Sequence, residues 1–171
     1  MSDAAFQETA RARRRQTYFR LNSHLAQLDN QQLYGLLAGG KAAEKQNRVV
    51  KLGSTRIFVK RVPVTYLEYI HMHSTANYYD LPSYFNFGGG GGGLGVFREI
   101  ATHIKTTNWV LGGEIGCFPL LYHWRIMPRC EPRERFDEAD HQKFVRRWNG
   151  NKRIDQILRD KFAAPYEVLL L

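Results

Sequence analysis

One lysine inside an apolar run is the residue of this sequence best placed to do chemistry. Lys60 ends the stretch "IFVK", in which Ile57 and Val59 share one side of a strand and Phe58 takes the other. Because burying an unpaired ammonium group is costly, Lys60 must reach solvent or find a carboxylate. Glu99, in "VFREI", is the candidate carboxylate. A lysine held in this way could bind a phosphate; the alternative is that Lys60 faces solvent on an edge strand.

A second candidate for anion binding is the loop "AGGKAAEKQN". Gly39 and Gly40 could present backbone N–H groups to a phosphate, and Lys41 and Lys45 could add positive charge. The motif G-x-G-x-x-G is absent from this loop, so the alternative is an ordinary turn.

Six consecutive glycines, residues 88–93, precede the segment that contains Glu99. Any glycine run matches G-x-G-x-x-G, so that match carries little weight. Glycines before a helix can bind an anion through free N–H groups. Our preferred interpretation is a pliant joint that lets the Glu99 helix move, and the alternative is a flexible linker without chemistry.

The apolar pattern predicts the elements that must position these residues. Residues 4–37 predict two short helices or one broken helix, with Asp29 and Asn30 as a cap pair. "RVVKLGSTRIFVKRV" predicts a hairpin that turns at Gly53-Ser54 and is closed by Pro63. The later predictions are a helix at Val96–Thr107, a strand at Phe118–Pro128, a helical region broken at Asn149-Gly150, and a final strand "APYEVLLL".

This order of elements resembles the N-terminal lobe of the protein-kinase superfamily, through Gly39, Gly40, Lys60 and Glu99. The overall ordering is similar to compact bacterial protein-kinase-like proteins, a branch that includes effector kinases. The fold it implies is α+β, with a small twisted antiparallel sheet and a Glu-bearing helix. Residues 1–35 would form a helical extension and residues 36–171 the lobe, with an insertion at about 64–95.

The resemblance also implies a function, namely ATP-dependent phosphoryl transfer to protein Ser/Thr hydroxyls. Lys60 and Glu99 would be the catalytic pair, and the nucleotide would be bound by Gly39, Gly40, Lys41, Val49 and Lys60. The catalytic loop H-x-D-x-x-x-x-N and the metal-binding D-F-G have no match here. The Mg²⁺ ligands are therefore expected on a C-terminal lobe, and the chain alone is expected to be inactive.

The end of the chain favours the same interpretation. Three leucines finish an apolar strand, which would leave either an unprotected sheet edge or leucines with nothing to pack against, so we expect the front part of a longer protein. No signal peptide or membrane span is indicated, which predicts a cytoplasmic protein, with secretion into a host cell as the alternative.

A basic binding module is the competing function class. The formal net charge of +9 and the cluster "RARRRQ" at 11–16 suit nucleic acid or an acidic protein face. No nucleic-acid fold signature accompanies them, so a solvated helix face is the preferred interpretation of the cluster.

Three other features carry no chemistry in this interpretation. "FDEADH" at 136–141 lacks the P-loop that a helicase box requires, so we expect a charged helix surface. His71 and His73 could share one side of a strand but have no third metal ligand. Cys117 and Cys130 lack the paired spacing of a zinc site and are expected to be buried thiols.

Overall fold

The structure, a computed structural model, describes residues 3–43, 47–86, 95–129 and 135–171. The side chains of residues 3–7 are outside the description. The helices are α1 (Asp3–Gln27), α2 (Asn30–Ala38), α3 (Tyr66–Ile70), α4 (Ser83–Asn86), α5 (Val96–Gly112), α6 (Glu138–Arg146) and α7 (Lys152–Phe162). The strands are β1 (Lys41–Ala42), β2 (Arg48–Leu52), β3 (Thr55–Val64), β4 (Trp124–Pro128) and β5 (Tyr166–Leu170).

The strands form a small antiparallel sheet in the order β1-β2-β3-β5-β4, so the protein is α+β as predicted. The predicted hairpin is confirmed, because β2 pairs antiparallel with β3 and Leu52 lies opposite Thr55. Gly53, in the two-residue turn, has φ +59, a conformation that glycine adopts without steric cost. β3 runs through Pro63 to Val64, so the proline does not close the strand as predicted.

The central position of β3 excludes the alternative that Lys60 lies on an edge strand. β3 lies between β2 and β5, so Lys60 is on the middle strand of the sheet and not on an edge. β5 is also an inner strand, and Leu169, Leu170 and Leu171 are buried. The expectation of bare leucines at an unprotected edge is therefore wrong, because β4 covers β5 on its other side.

Of the two alternatives for the N-terminal region, two helices and not one broken helix are found. However, α1 is 25 residues long and therefore not short. Asp29 caps α2 with a complete capping box: its side chain accepts from the backbone N–H of Gln32, and the Gln32 side chain accepts from the N–H of Asp29. Leu21 and Leu25 of α1 and Leu33 and Leu37 of α2 are buried, at the spacing of one helix face.

Other predicted boundaries need correction. α5 continues five residues beyond Thr107, to Gly112. The strand predicted at Phe118–Pro128 is shorter than expected: residues 118–123 are not in a strand, and β4 begins at Trp124. The helical region divides at Asn149-Gly150 as predicted, and both residues have positive φ. The glycine run 88–93 lies outside the described residues.

The chain divides into two compact units with different charge. One unit comprises Met1–Arg61, Ile100–Arg125 and Leu169–Leu171, and the other comprises Val62–Glu99 and Ile126–Val168. The sequence of the first has 14 Lys and Arg against 5 Asp and Glu, so its net charge is 14 − 5 = +9; the second has 11 against 11, so its net charge is 11 − 11 = 0. We call them the basic unit and the neutral unit. The whole net charge of the protein therefore belongs to the basic unit.

Candidate functional site

The register of the first three strands collects most of the predicted binding residues on one face of the sheet. Lys41 of β1 lies opposite Val49 of β2, and Val49 lies opposite Phe58 of β3. Side chains of directly opposite residues point to the same face, and so do side chains two positions apart on one strand. Lys41, Val49, Phe58 and Lys60 therefore share a face, which lies wholly within the basic unit.

Burial distinguishes this face from the other. On β3, Ile57 and Val59 are 2% and 0% exposed, whereas Phe58 is 54% exposed. Lys60 is half-buried. We call the surface formed by Lys41, Val49, Lys51, Arg56, Phe58 and Lys60 the open face. Phe58 is an exposed aromatic ring near the middle of the sheet, where apolar residues are normally covered.

The open face is rich in cationic side chains. Lys41, Lys51, Arg56 and Lys60 supply four positive charges, and the described strands β1, β2 and β3 contain no Asp or Glu. A surface of one sign raises the local concentration of anions. Opposite positions on neighbouring strands are about 5 Å apart, and positions two apart on a strand about 7 Å apart. The face can therefore contact a flat apolar group and an anionic group of one ligand.

Gly39 and Gly40 have a structural role at the end of α2. The N–H of Gly39 donates to the carbonyl of Gly35 at 3.2 Å, and the N–H of Gly40 donates to that of Leu37 at 3.0 Å. A Cβ on Gly40 would lie 2.9 Å from Val50 Cγ1 and 3.1 Å from the Leu37 oxygen. Both N–H groups are engaged, so a direct contact to a phosphate would require these bonds to break. Lys41 is exposed on β1, and Lys45 lies outside the described residues.

Glu99 lies on the first turn of α5, as predicted, and is half-buried. A carboxylate at this end of a helix is stabilised by the helix dipole. Lys60 belongs to the basic unit and Glu99 to the neutral unit. Their ion pair stays a prediction.

The arginine cluster does not form a solvated helix face throughout. Arg14 donates from Nη1 to the carbonyl of Gly116 and from Nη2 to that of Phe118, both at 2.6 Å. Arg11 donates to the carbonyl of Gly112. Arg13 and Arg15 are exposed, as the solvated interpretation predicts. Arg11 and Arg14, two of the four arginines in the cluster, therefore hold the end of α5 and the chain that follows it.

The remaining sequence features are structural. Asp137 caps α6 by accepting from the N–H of Asp140, so "FDEADH" marks a helix start. His71 and His73 are in a turn and not on a strand, and no cluster of three His, Cys, Asp or Glu suited to a metal occurs among the described residues. Cys117 is exposed and reduced, contrary to the expectation of a buried thiol, and Cys130 lies outside the described part.

Sequence reasoning missed Phe58, Lys51 and Arg56 as members of the site. The alternation of "RIFVK" contained the signal, because it places Phe58 on the same side as Arg56 and Lys60. It could not show which side would stay open, since that depends on the elements packed against the sheet.

No protein-family model, curated protein or solved structure matches this chain. Within the ranges that the structure describes, no helix has both the length and the apolar character needed to cross a membrane.

Proposed function

We propose that the open face binds ATP, and that this chain is the nucleotide-binding portion of an ATP-dependent protein kinase. The observation that supports this most is the open face itself: Lys60 on the middle strand, with Phe58 and Val49 beside it and three further cations around them. In the full-length protein the activity would be phosphoryl transfer to protein Ser/Thr hydroxyls.

Each residue of the face has a role in this proposal. Lys60 and Lys41 bind phosphate oxygens, since an ammonium group is a compact donor of three hydrogen bonds. Phe58 and Val49 contact the base, because every base offers a flat apolar surface to an aromatic ring. Glu99 would pair with Lys60 and fix its position, as in the kinase superfamily. Gly39 and Gly40 shape the end of α2 and do not bind the nucleotide directly.

The residues of the face fit a phosphate and do not fit Mg²⁺. The six side chains present nitrogen donors and apolar atoms, whereas Mg²⁺ prefers carboxylate and other oxygen ligands. In this proposal the ligands of Mg²⁺ therefore lie on a C-terminal lobe of the full-length protein. The order of elements is compatible with the same division: β3 carries Lys60, α5 with Glu99 comes later, after α3 and α4, and β4 and β5 come after α5.

Nucleotide binding can be measured on this chain directly. Titration with a fluorescent N-methylanthraniloyl ATP, with and without Mg²⁺, should show binding that Lys60→Met weakens about tenfold or more, a loss of roughly 1.4 kcal/mol. Lys105→Met is the matched control, because Lys105 is an exposed lysine of the same unit on α5. Equal affinity in wild type and Lys60→Met, or an equal loss in Lys105→Met, would refute the assignment.

Catalysis needs a separate experiment. In a full-length protein, Lys60→Met should abolish phosphotransfer and leave the fold intact, because methionine keeps the packing stem and removes the charge. The 171-residue chain, incubated with Mg²⁺, labelled ATP and a generic protein substrate, should show no turnover. Turnover that disappears in Lys60→Met would show that the catalytic groups lie within these residues.

A second candidate function is binding of single-stranded nucleic acid, supported by the exposed Phe58 among four cations. Aromatic rings on a basic sheet surface stack against successive bases. Titration with an oligothymidylate at several salt concentrations distinguishes nucleic-acid binding from ATP binding. Affinity for nucleic acid should fall linearly on a log–log plot, with a slope near −0.7 for each phosphate neutralised. A kinase lobe predicts tighter binding of the mononucleotide than of the oligonucleotide at physiological salt.

A further inference from the structure

The neutral unit contains a cavity of about 380 Å³, within the range typical of small-molecule sites. Its walls come from α3, the 71–81 loop, α4, the first turn of α5, and α7. All of its described lining residues belong to this one unit, and none of them belongs to the open face. The cavity and the open face therefore have no described lining residue in common.

The apolar part of the cavity is suited to a flat ring. Leu81 and Ile157 are 6% and 4% exposed and belong to the core of the neutral unit. At the rim, the rings of His71 and Tyr78 are stacked, with centroids 4.1 Å apart and planes 13° from parallel. Tyr78 is 45% exposed, so its stack can be extended by another ring. Offset stacking of a third ring would add to the apolar burial.

The described lining residues include one carboxylate and one guanidinium group. Glu68 is the acidic residue among the described lining residues, and both of its oxygens are engaged: Oε1 with Lys161 Nζ at 2.8 Å, and Oε2 with the N–H of Thr65 at 2.9 Å. Arg98 is the cation among the described lining residues; its Nη2 donates to the Thr75 carbonyl at 2.9 Å, and the residue makes a further interaction. A guanidinium group has five N–H donors in a planar fork that fits oxyanions.

We propose that this cavity binds a small aromatic molecule that carries one anionic oxygen group, either a carboxylate or a phosphate monoester. The ring lies against the His71–Tyr78 stack and the apolar floor, and the anion is bound by Arg98. The Thr75 carbonyl orients the guanidinium toward the loop that forms the rim.

Three probes test the chemistry by isothermal calorimetry: indole-3-acetate, phenyl phosphate and the neutral indole-3-acetamide. One or both anions should bind at least tenfold more tightly than the amide, and the tighter anion identifies the preferred source of charge. Amide NMR shifts should map the tighter anion to residues 74–79 and 95–98. Equal binding of the amide, shifts elsewhere, or no binding of either anion at millimolar concentration would overturn the proposal.

Two variants test the residues. Arg98→Gln should reduce anion affinity about tenfold and leave amide affinity unchanged, because it removes the charge and keeps a polar side chain. Arg146→Gln, an exposed arginine of the same unit on α6, is the matched control and should bind like wild type. Ala76→Phe fills the cavity at the rim and should weaken all three probes. Thermal unfolding verifies that each variant is folded; folded variants with unchanged affinities would refute the site.

The proposal for this cavity and the proposal for the nucleotide site can be refuted independently. Lys60→Met should leave indole-3-acetate binding unchanged, and Arg98→Gln should leave binding of the fluorescent ATP unchanged. Indole-3-acetate should not displace the fluorescent ATP. Displacement would show that the two ligands share one site, and would contradict the inference that the cavity is a second one.

Discussion

The two units use their cations in different ways. In the basic unit, Arg14 and Arg125 donate to backbone carbonyls, so their positive charges are not cancelled by these contacts. In the neutral unit, Arg98 and Arg129 also donate to carbonyls, but Lys161 contacts the carboxylate of Glu68 and Arg159 that of Glu138. A backbone carbonyl accepts hydrogen bonds from a Lys or Arg side chain but does not neutralise its positive charge, whereas a carboxylate does both. The basic unit has a net charge of +9, because it contains few carboxylates, and this charge can attract an anionic partner.

The network between α6 and α7 shows how the neutral unit depends on its carboxylates. His141 Nε2 lies 2.5 Å from Asp155 Oδ1, and Arg159 contacts both Asp155 and Glu138. The hydrogen bond from His141, and then Arg159, keep the pKa of Asp155 below its ordinary value. The hydrogen bond from Arg159 lowers the pKa of Glu138 to about 2. Acid should therefore weaken this unit more than the basic one.

The largest effect is expected at Arg125, which holds the end of α1. Its guanidinium donates to the carbonyl of Leu28 at 2.5 Å and to those of Ala26 and Leu25 at 3.3 and 3.4 Å. Arg125→Ala should lower the free energy of unfolding by about 2–3 kcal/mol, because charge-assisted bonds to several carbonyls are lost together. Urea denaturation measures this. Arg125→Lys should recover only part of the loss, and full recovery would show that charge alone matters.

Asp155→Asn should have the next largest effect. At pH 7 it should cost about 2 kcal/mol, because the contacts of Asp155 with the nearly buried His141 side chain and with Arg159 lose their negative charge. Since the folded pKa of Asp155 is lowered, its contribution is complete above the unfolded value of 3.8 and is lost as the pH falls toward the folded value. Urea denaturation across this acid range should show a flatter pH dependence in the variant. An unchanged slope would contradict the role of Asp155.

Gly40→Ala distinguishes a structural role from a binding role for this glycine. The added Cβ would meet Val50 Cγ1 and the Leu37 carbonyl, so unfolding should become easier by about 1–2 kcal/mol. The affinity of the folded variant for the fluorescent ATP should be unchanged. A loss of affinity without a loss of stability would show that Gly40 approaches the nucleotide after all.

The smallest effects separate neighbouring arginines of one cluster. Arg14→Ala should cost about 1 kcal/mol, because two carbonyls near Gly116 lose their donors. Arg13→Ala should change stability by less than about 0.5 kcal/mol, since Arg13 is exposed. Thermal unfolding of the two variants provides the comparison. Equal shifts would mean that the cluster acts only through its total charge.

The sequence alone determined the features that depend on neighbours in the chain. The β2–β3 hairpin follows from alternating apolar residues around a glycine turn, and both the turn and the pairing are as predicted. The capping box of α2 and the break at Asn149-Gly150 are local in the same sense. These signals are readable because each element requires particular residues at fixed, short spacings.

Only the tertiary structure decided where those elements lie. The sheet order places β5 beside β3, which makes β3 central and buries the final leucines, although more than 100 residues separate the two strands. Arg14 and Arg125 bond to carbonyls 97 to 104 positions away, and no local pattern marks such partners. The side of β3 left open, with Phe58 and Lys60, depends likewise on what packs against the opposite side. Long-range packing therefore decides the place of β5 in the sheet, the partners of the two arginines and the open side of β3. Burial and hydrogen bonding depend on distance in space and not on spacing along the chain.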